Sequence, residues 1–463
     1  MQYCVRGVGM FPEEFLLRMK NILGDGFDAF VQSLTCPAVR SFRINRIKFG
    51  GELNLPEGVE VVGIPYCEGG FAVTSGGEGL GNSPEHHSGM IYFQDAGAMA
   101  PVSALPRLKD GAKVLDLCAA PGGKSGQLAQ LIGHSGSLLS NEVIPKRARV
   151  LVSNMERLGI TNACVTSLEV SEIASLYPAF FDCVVIDAPC SGEGMFRKGE
   201  AAVENWSVEN ILSSARRQKD ILDQGSSCVA EGGYLLYSTC TYAPEENEHQ
   251  VADFLENHPD FFLVECNNTA LVAATAPGLN LNRTVVDTAR ARRSYPHLSL
   301  GEGQFLAVMK RRDGGGGAGA PTRDRSTPPD KASCATVNAF LRDNLTDIPP
   351  GRLVRSGSTV SLVCHEIPLP CHGVFMPGVA IGEVIKGRLV PHHQLFSAYG
   401  HLFKSTYELK DESEALKYMH GEELRCDAGL SGYVAVMWHG CALGGGKASG
   451  GVIKNHYPKG LRI

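Results

Sequence analysis

The sequence predicts an α/β protein with a mostly parallel sheet at its centre and a smaller β-rich unit behind it. Three observations carry that reading. From Ala112 onward, apolar runs of strand length alternate with amphipathic helical stretches, the pattern of a parallel sheet covered on both faces. One strand–helix junction, Cys118–Lys124, is rich in glycine, as suits a turn that brings backbone close to a ligand. A break in composition, "RRDGGGGAGAPTRDRSTPPDKAS" from Arg311 to Ser333, then leads into short strand patterns interrupted by glycine.

The elements follow in order. Residues 11 to about 48 have helical periodicity and run into the basic segment "RSFRINRIK", with Arg40, Arg43, Arg46 and Lys48. A turn-rich stretch, "EGGFAVTSGGEGLGNSPEHHSG", comes next. Then "KVLDLCAA" reads as a strand, "KSGQLAQLIG" as a helix, "GSLLSNEV" as a strand and "IPKRARVLVSNMERLGI" as a long helix stopped by glycine. "NACVTS" and "FDCVVIDAP" are strands, "SARRQKDILDQGSSCVAEGG" a helix and "GYLLYSTCT" a further strand. After the Gly/Pro-rich break, "RLVRSGSTVSLVC" and "YVAVMWHGCALGGGKASGGVIKN" read as β-structure.

Composition bounds the function. A chain of 463 residues accommodates two to four domains, and 43% hydrophobic with 20% charged residues supports a sizeable core. The net charge of -6 means that nucleic acid, if bound, is bound through local patches. Fifteen cysteines without the spacing of a small secreted framework point to reduced thiols and a cytoplasmic protein. The first residues do not read as a signal peptide, and there is no apolar run of membrane-spanning length. His86, His87 and the Cys–His pairs at 364–365 and 371–372 lack the C-x₂₋₄-C spacing of structural zinc sites, so no metal is expected.

Three motifs carry chemistry. In "VLDLCAAPGGKS" a strand feeds a glycine turn and a helix, which suits either a nucleotide phosphate or an adenosyl cofactor. Cys118 stands where a phosphate-wrapping loop needs glycine before Gly123-Lys124-Ser125. Glu142 closes the next strand, where a carboxylate accepts ribose hydroxyls, and this favours a nucleoside-bearing cofactor. In "VVIDAPCSGEGMFRK", Asp187 ends a strand, Pro189 stiffens the turn and Cys190 stands at its apex, followed by Arg197 and Lys198. In "GGYLLYSTCTYAPEENEHQV", Cys240 follows another strand. Either cysteine alone reads most simply as a packed thiol at a strand end. Two of them on one edge of a parallel sheet, beside a cofactor turn and a carboxylate, suggest shared chemistry. Carbon 5 of a pyrimidine is not nucleophilic until a thiolate adds to carbon 6. Expelling that thiol and removing the carbon-5 proton gives a second cysteine a task. Asp187 can accept a hydrogen bond from the exocyclic amine of cytosine. Spacing leaves open which thiol attacks.

"CAAPGGK" (Cys118–Lys124), "DAPCSGEGMFRK" (Asp187–Lys198), "YSTCTYAPEENE" (Tyr237–Glu248) and "YPHLSLGEGQFLAVMKR" (Tyr295–Arg311) closely resemble the NOL1/NOP2/Sun family of RNA 5-methylcytosine methyltransferases. The resemblance spans about residues 1–312, and the tail "KNHYPKGLR" is similar to that of its bacterial ribosomal RNA members. It implies a Rossmann-like S-adenosyl-L-methionine-dependent core, a small α+β N-terminal domain and a β-rich PUA-like C-terminal domain. The expected boundaries are 1–100 for an N-terminal RNA-binding domain and 101–312 for the methyltransferase. A flexible linker follows at 313–332, then a linking plus PUA-like RNA-binding region at 333–463. The resemblance assigns attack to Cys240 and assistance in release to Cys190. It places Asp187 at cytosine and near the cofactor, and Lys198 in the active site. The cofactor is expected at Cys118, Ala119, Ala120, Pro121, Gly122, Gly123 and Lys124, with Glu142. Where the family often has Asp after the third strand, this chain has Glu169, taken as the adenine contact. Tyr295, Pro296 and His297 are expected to shape the core beside the site. Lys454, His456, Lys459 and Arg462 are expected to meet phosphates and Tyr457 to stack on a base. The expected partner is RNA, ribosomal in preference to transfer RNA, bound by a monomer with no membrane attachment. A P-loop-like NTPase and a non-catalytic RNA-binding assembly factor are the rival readings.

Overall fold

The computed structural model describes residues 11–281, 286–314 and 321–463. At its centre, β1 (Lys113–Asp116), α1 (Gly123–Ile132), β2 (Ser137–Asn141), α2 (Pro145–Arg157), β3 (Ala163–Thr166), α3 (Val170–Leu176), β4 (Phe181–Asp187), α4 (Val208–Ser226) and β5 (Val229–Thr239) alternate as the sequence predicts. These five strands are parallel in the order β3–β2–β1–β4–β5. The chain leaves β1 toward β2 and returns on its other side at β4. The carboxyl ends of β1 and β4 therefore flank a switch point, where open α/β sheets take their ligands. α5 (Glu248–Asn257) follows, and the antiparallel β6 (Gln304–Arg311) joins β5 and is itself flanked by the short antiparallel strands Arg292–Ser294 and Phe261–Leu263. The strands are apolar and buried between two layers, as their continuous hydrophobic runs require.

Three expectations are corrected by packing. Helical structure from residue 11 stops at Leu34, and Ser41–Ile44 is a wholly buried strand. The helix expected to reach Gly233 ends at Ser226, because Val229 already pairs with Phe181. The region expected as a separate C-terminal unit also enters the central sheet: β7 (Val374–Met376) pairs antiparallel with β3. Part of the expected linker, 315–320, lies outside the described residues. Its described remainder from Thr322 onward is tied down. The amide of Thr322 donates to Leu176 O and that of Arg325 to Leu369 O, and Asp324 pairs with Arg352 at 2.6 Å.

The C-terminal region holds two further sheets, one from strands within 352–391 and one from strands within 406–455. Lys48, in the basic segment of the expected RNA-binding domain, is half-buried and ties regions together. Its amine donates to Ser88 O (2.6 Å), Arg157 O (3.3 Å), Ser397 Oγ (3.0 Å) and Ala442 O (2.8 Å). Tyr457 is also buried, its hydroxyl 2.8 Å from His87 Nδ1, so it is not a free stacking platform. Lys454, Lys459 and Arg462 remain exposed.

Burial pushes the Lys48 amine down to about 7. A lysine held below its unfolded value costs stability fully below about 7, progressively less as pH rises from about 7 to about 10 while only the unfolded chain keeps the proton, and nothing above that. The native fold therefore gains stability as pH rises from 7. Lys48→Met removes a donor from three buried carbonyls and is expected to cost about 1–3 kcal/mol. The deficit against wild type should widen between pH 7 and 9.5, which thermal melts of both proteins at the two pH values will show.

Candidate active site

The site is built where β1, β4 and β5 end. After β1, the chain turns through Gly122, at φ 113°, into α1. A side chain is disfavoured at that dihedral, and a Cβ at Gly123 would press to 3.3 Å against Tyr92 and Gln94. Asp116 ends β1, fully buried, and accepts from Ser125 Oγ at 2.6 Å. Burial pushes its carboxyl up to about 7. Its Oδ1 is buried and has no partner among the described residues, and the residue lines a cavity of about 440 Å³.

Cys118, Ala119, Ala120, Pro121, Gly123 and Lys124 line this cavity, as do Asp187, Lys198 and Cys240. Burial and the neighbouring carboxylates raise the Cys118 thiol, which stays protonated. Lys124 is buried and its amine lies 2.8 Å from Asp187 Oδ2, so it is committed to the carboxylate and not free to grip a phosphate. Ser238 Oγ donates to Asp187 Oδ1 at 2.7 Å. Lys198 pairs with Asp95 at 3.0 Å, and Asp95 in turn accepts from the amides of Gly97 and Glu302.

Glu142 is buried behind the lining. It accepts from the Ile144 amide at 3.0 Å and pairs at 3.3 Å with Arg147, which donates to Ala120 O and faces the cavity. Glu169 is exposed and away from the lining. It caps α3 in a reciprocal box with Glu172, so its carboxylate is engaged at the helix start and not at the cavity lining. Sequence reasoning missed Arg147, Asp95 and the role of Arg43. The Arg43 guanidinium is buried and donates to Gln94 Oε1 (2.7 Å) and Gly123 O (3.0 Å), holding the cofactor turn from behind. One basic residue among the four of this segment carries no signal for that duty.

The two cysteine loops meet. Asp187 and Ser238 are register partners on adjacent parallel strands, so the chain leaves both at one level. Cys190 Sγ and Cys240 Sγ lie 3.2 Å apart. The contact with Cys240 and then burial raise the Cys190 thiol well above its ordinary value. Buried polar groups rivet the loops together. The Gly194 amide donates to Cys240 O at 2.9 Å, and Ser191 O–H donates to Glu246. Glu193 takes the Thr241 hydroxyl and Tyr242 amide, both at 2.9 Å. A Cβ at Gly194 would stand 2.5 Å from Gly303 O, so only glycine fits. Arg293 meets Glu248 through two bonds of 2.5 and 2.6 Å and donates to Tyr242 O, with Tyr295 Oη at 3.2 Å. Tyr295 stacks on Tyr242, and His297 packs beside it, so this segment shapes the floor of the Cys240 loop.

Breaking that pair leaves one charge buried without a partner. Glu248→Gln is expected to lower unfolding stability by about 3–5 kcal/mol, measured by urea titration.

The family model for 16S rRNA methyltransferase RsmB/F matches residues 104–310. That for the N-terminal domain of 16S rRNA methyltransferase RsmF matches 11–96, and that for the methyltransferase RsmF PUA domain matches 404–463. Ribosomal RNA small subunit methyltransferase F of Aeromonas salmonicida (strain A449) is 31% identical, over 97% of each chain. The protein of the same name in Vibrio atlanticus (strain LGP32) is 30% identical, again over 97% of each. A crystallised methyltransferase homolog from Pyrococcus horikoshii is 27% identical, covers 66% of this chain and 99% of its own, and superimposes with a TM-score of 0.55. NSun6 from the same organism, solved with SFG, shares the fold at 20% identity, covering 66% of this chain and 100% of its own with a TM-score of 0.53. Coverage of nearly the whole chain at this identity, together with the matched core and both flanking domains, decides it: the chain belongs to the RsmB/F family of 16S rRNA methyltransferases.

Proposed function

We propose that this enzyme methylates carbon 5 of a cytosine in 16S ribosomal RNA, using S-adenosyl-L-methionine and a transient bond between Cys240 and carbon 6. The observation that carries the reading is the 3.2 Å approach of two thiols, one of which lines the same cavity as the cofactor turn. Transfer to nitrogen or oxygen needs neither thiol.

The lining fits the cofactor. Asp116, which lines the cavity and has an unpartnered carboxylate oxygen, suits an ammonium group, and the Cys118–Lys124 backbone offers polar groups at a helix start. Glu142, once Arg147 yields, offers a carboxylate to ribose hydroxyls. When bound, S-adenosylmethionine supplies an electrophilic methyl group on a sulfonium sulfur.

The chain's own residues do the rest. Asp187, held by Lys124 and Ser238, presents a fixed acceptor to the exocyclic amine of cytosine. Cys240 adds as thiolate to carbon 6, and Cys190, kept protonated by its contact with Cys240 and by burial, donates to that sulfur before it attacks. Once the Cys240 sulfur is bonded to carbon, the charge that raised Cys190 is gone. Cys190 then gives up its own proton to solvent and, as thiolate, takes the carbon-5 proton once that carbon carries the methyl group, so that carbon 5 and carbon 6 regain their double bond and the Cys240 thiolate leaves. The target base must leave its stack to reach this depth.

We read the protein as a cytoplasmic monomer. All fourteen described cysteines are free, which suits a reducing compartment. No described helix is long and apolar enough to cross a membrane.

The test is methyl transfer from labelled S-adenosylmethionine to purified small ribosomal subunits, naked 16S RNA and transfer RNA, with bisulfite mapping of the product. Label at a cytosine of 16S RNA is expected. Label confined to transfer RNA, or label on a base other than cytosine, sinks the reading.

A further inference from the structure

The cavity that holds Cys240 does not end at Lys198. Phe93, Gln94, Asp95 and Lys198 line it at one end and also line a second cavity of about 330 Å³, bounded beyond them by Ala38–Ser41. Arg40 and Phe93 pass from that second cavity into a third of about 380 Å³, against Gly79, Gly81 and Asn82. The three spaces form one groove leading away from the catalytic thiol across the N-terminal domain. Phe93 is the one aromatic residue that lines all three among the described residues.

The chemistry along the groove changes with distance from Cys240. Near the thiol, carboxylates and a lysine are paired with one another. Farther out, the Asp95 charge is offset by Lys198 at 3.0 Å, and Arg40 is the remaining charge. Arg40 is exposed, makes no ion pair among the described residues, and spends one guanidinium nitrogen on Gly77 O at 2.5 Å. The outer part of the groove is thus locally positive in a chain of net charge -6. Phe93 sits on the edge strand Ile91–Phe93, half-buried, backed by Phe42 at 6.3 Å and His86 at 5.3 Å between ring centroids. Beyond it, a Cβ at Gly79 or Gly81 would meet nothing within 4 Å, so the far wall is open backbone. An aromatic face beside a free guanidinium, opening on a roomy polar wall, suits an unstacked base and its phosphate. A small soluble metabolite would need more enclosure and more fixed polar partners than this groove provides.

We propose that this groove is the subsite for the single-stranded nucleotide next to the target cytosine, its base stacked on Phe93 and its phosphate held by Arg40. The inference rests on the RNA-methylating reading above and adds to it the residues that position the strand. Methylation is then limited to cytosines whose neighbour on one side is also unpaired. Phe93 acts here by positioning the substrate and takes no part in bond making.

The experiment uses the full-length enzyme and a short RNA spanning the mapped cytosine, with an abasic nucleotide placed in turn on either side of it. With intact RNA, Phe93→Leu, which keeps apolar volume but removes the aromatic face, is expected to raise KM for RNA about five- to tenfold. Affinity for S-adenosylmethionine and the melting temperature should not change. With the abasic site on one particular side, wild type should lose the same factor and Phe93→Leu should lose nothing more. Arg40→Ala, on the surface, is expected to weaken RNA binding and reduce the slope of log affinity against log salt by about 0.7. Equal Phe93→Leu penalties on intact and abasic RNA would overturn the stacking assignment, as would an unchanged salt slope in Arg40→Ala for the phosphate. If wild type methylates no RNA, the failure belongs to the proposed function; if wild type is active but the coupling is absent, it belongs to the groove alone.

Discussion

Cys240→Ala is expected to lose methyl transfer by on the order of 10⁴-fold or more and to form no covalent RNA adduct. Without the thiolate, carbon 5 of cytosine never gains enamine character, and no neighbouring group replaces that activation. Cys190 stands 3.2 Å from Cys240, close enough to reach a base already bonded there, but it does not itself line the cavity that a free base enters. Removing its partner does not move it forward, because Ser191 beside it stays bonded to Glu246 and Thr241. The measurement is single-turnover transfer of labelled methyl, paired with denaturing gel analysis of protein–RNA adducts. Retained methylation in Cys240→Ala would reverse the assignment of the attacking thiol. Cofactor affinity should be unchanged, because the turn at Cys118–Lys124 is held by Arg43 and by the helix it begins, and not by Cys240.

Cys190→Ala should behave in the opposite way on a gel. Attack still occurs, but the base that removes the carbon-5 proton is absent, so the protein should accumulate as a denaturant-resistant adduct with methylated RNA. Turnover should fall by about 10²–10⁴-fold, the span associated with loss of a positioned acid–base group, while the first turnover is largely kept. Absence of adduct alongside slow turnover would refute the release role. In the proposed reaction, the acidity of Cys190 depends on whether Cys240 is bonded to substrate, which couples the two halves of the reaction through one sulfur–sulfur contact. That coupling needs the two sulfurs close together, and the buried hydrogen bonds of Glu193 and Glu246 hold them there.

The alternation of strand and helix from Lys113 to Thr239 was readable in the chain because parallel strands buried on both faces must be continuously apolar, and the helices between them must show one apolar stripe. The same reasoning located Cys190, Cys240, Asp187 and the cofactor turn, since strands of one parallel sheet deliver their carboxyl ends to one edge. It failed where a residue's duty depends on a partner distant in sequence. Arg43 and Lys48 look like a basic surface, yet Arg43 braces Gly123 from 80 residues away and Lys48 reaches Ala442 across 394. Glu169 resembles a ligand by position, but local hydrogen bonding with Glu172 turns it into a helix cap. Tyr457 was placed on an RNA surface by its basic neighbours, and packing against His87 buries it.

Residue pattern, local period and motif resemblance were therefore enough for the class of fold and the family, because those are properties of short segments and of strand order. The separation of the two thiols was not, nor the commitment of Lys124 to Asp187, nor the insertion of Val374–Met376 into the central sheet. Each is a contact between segments far apart in the chain. Such contacts depend on how buried polar groups find partners once the apolar layers have closed, and only the folded molecule brings those groups together.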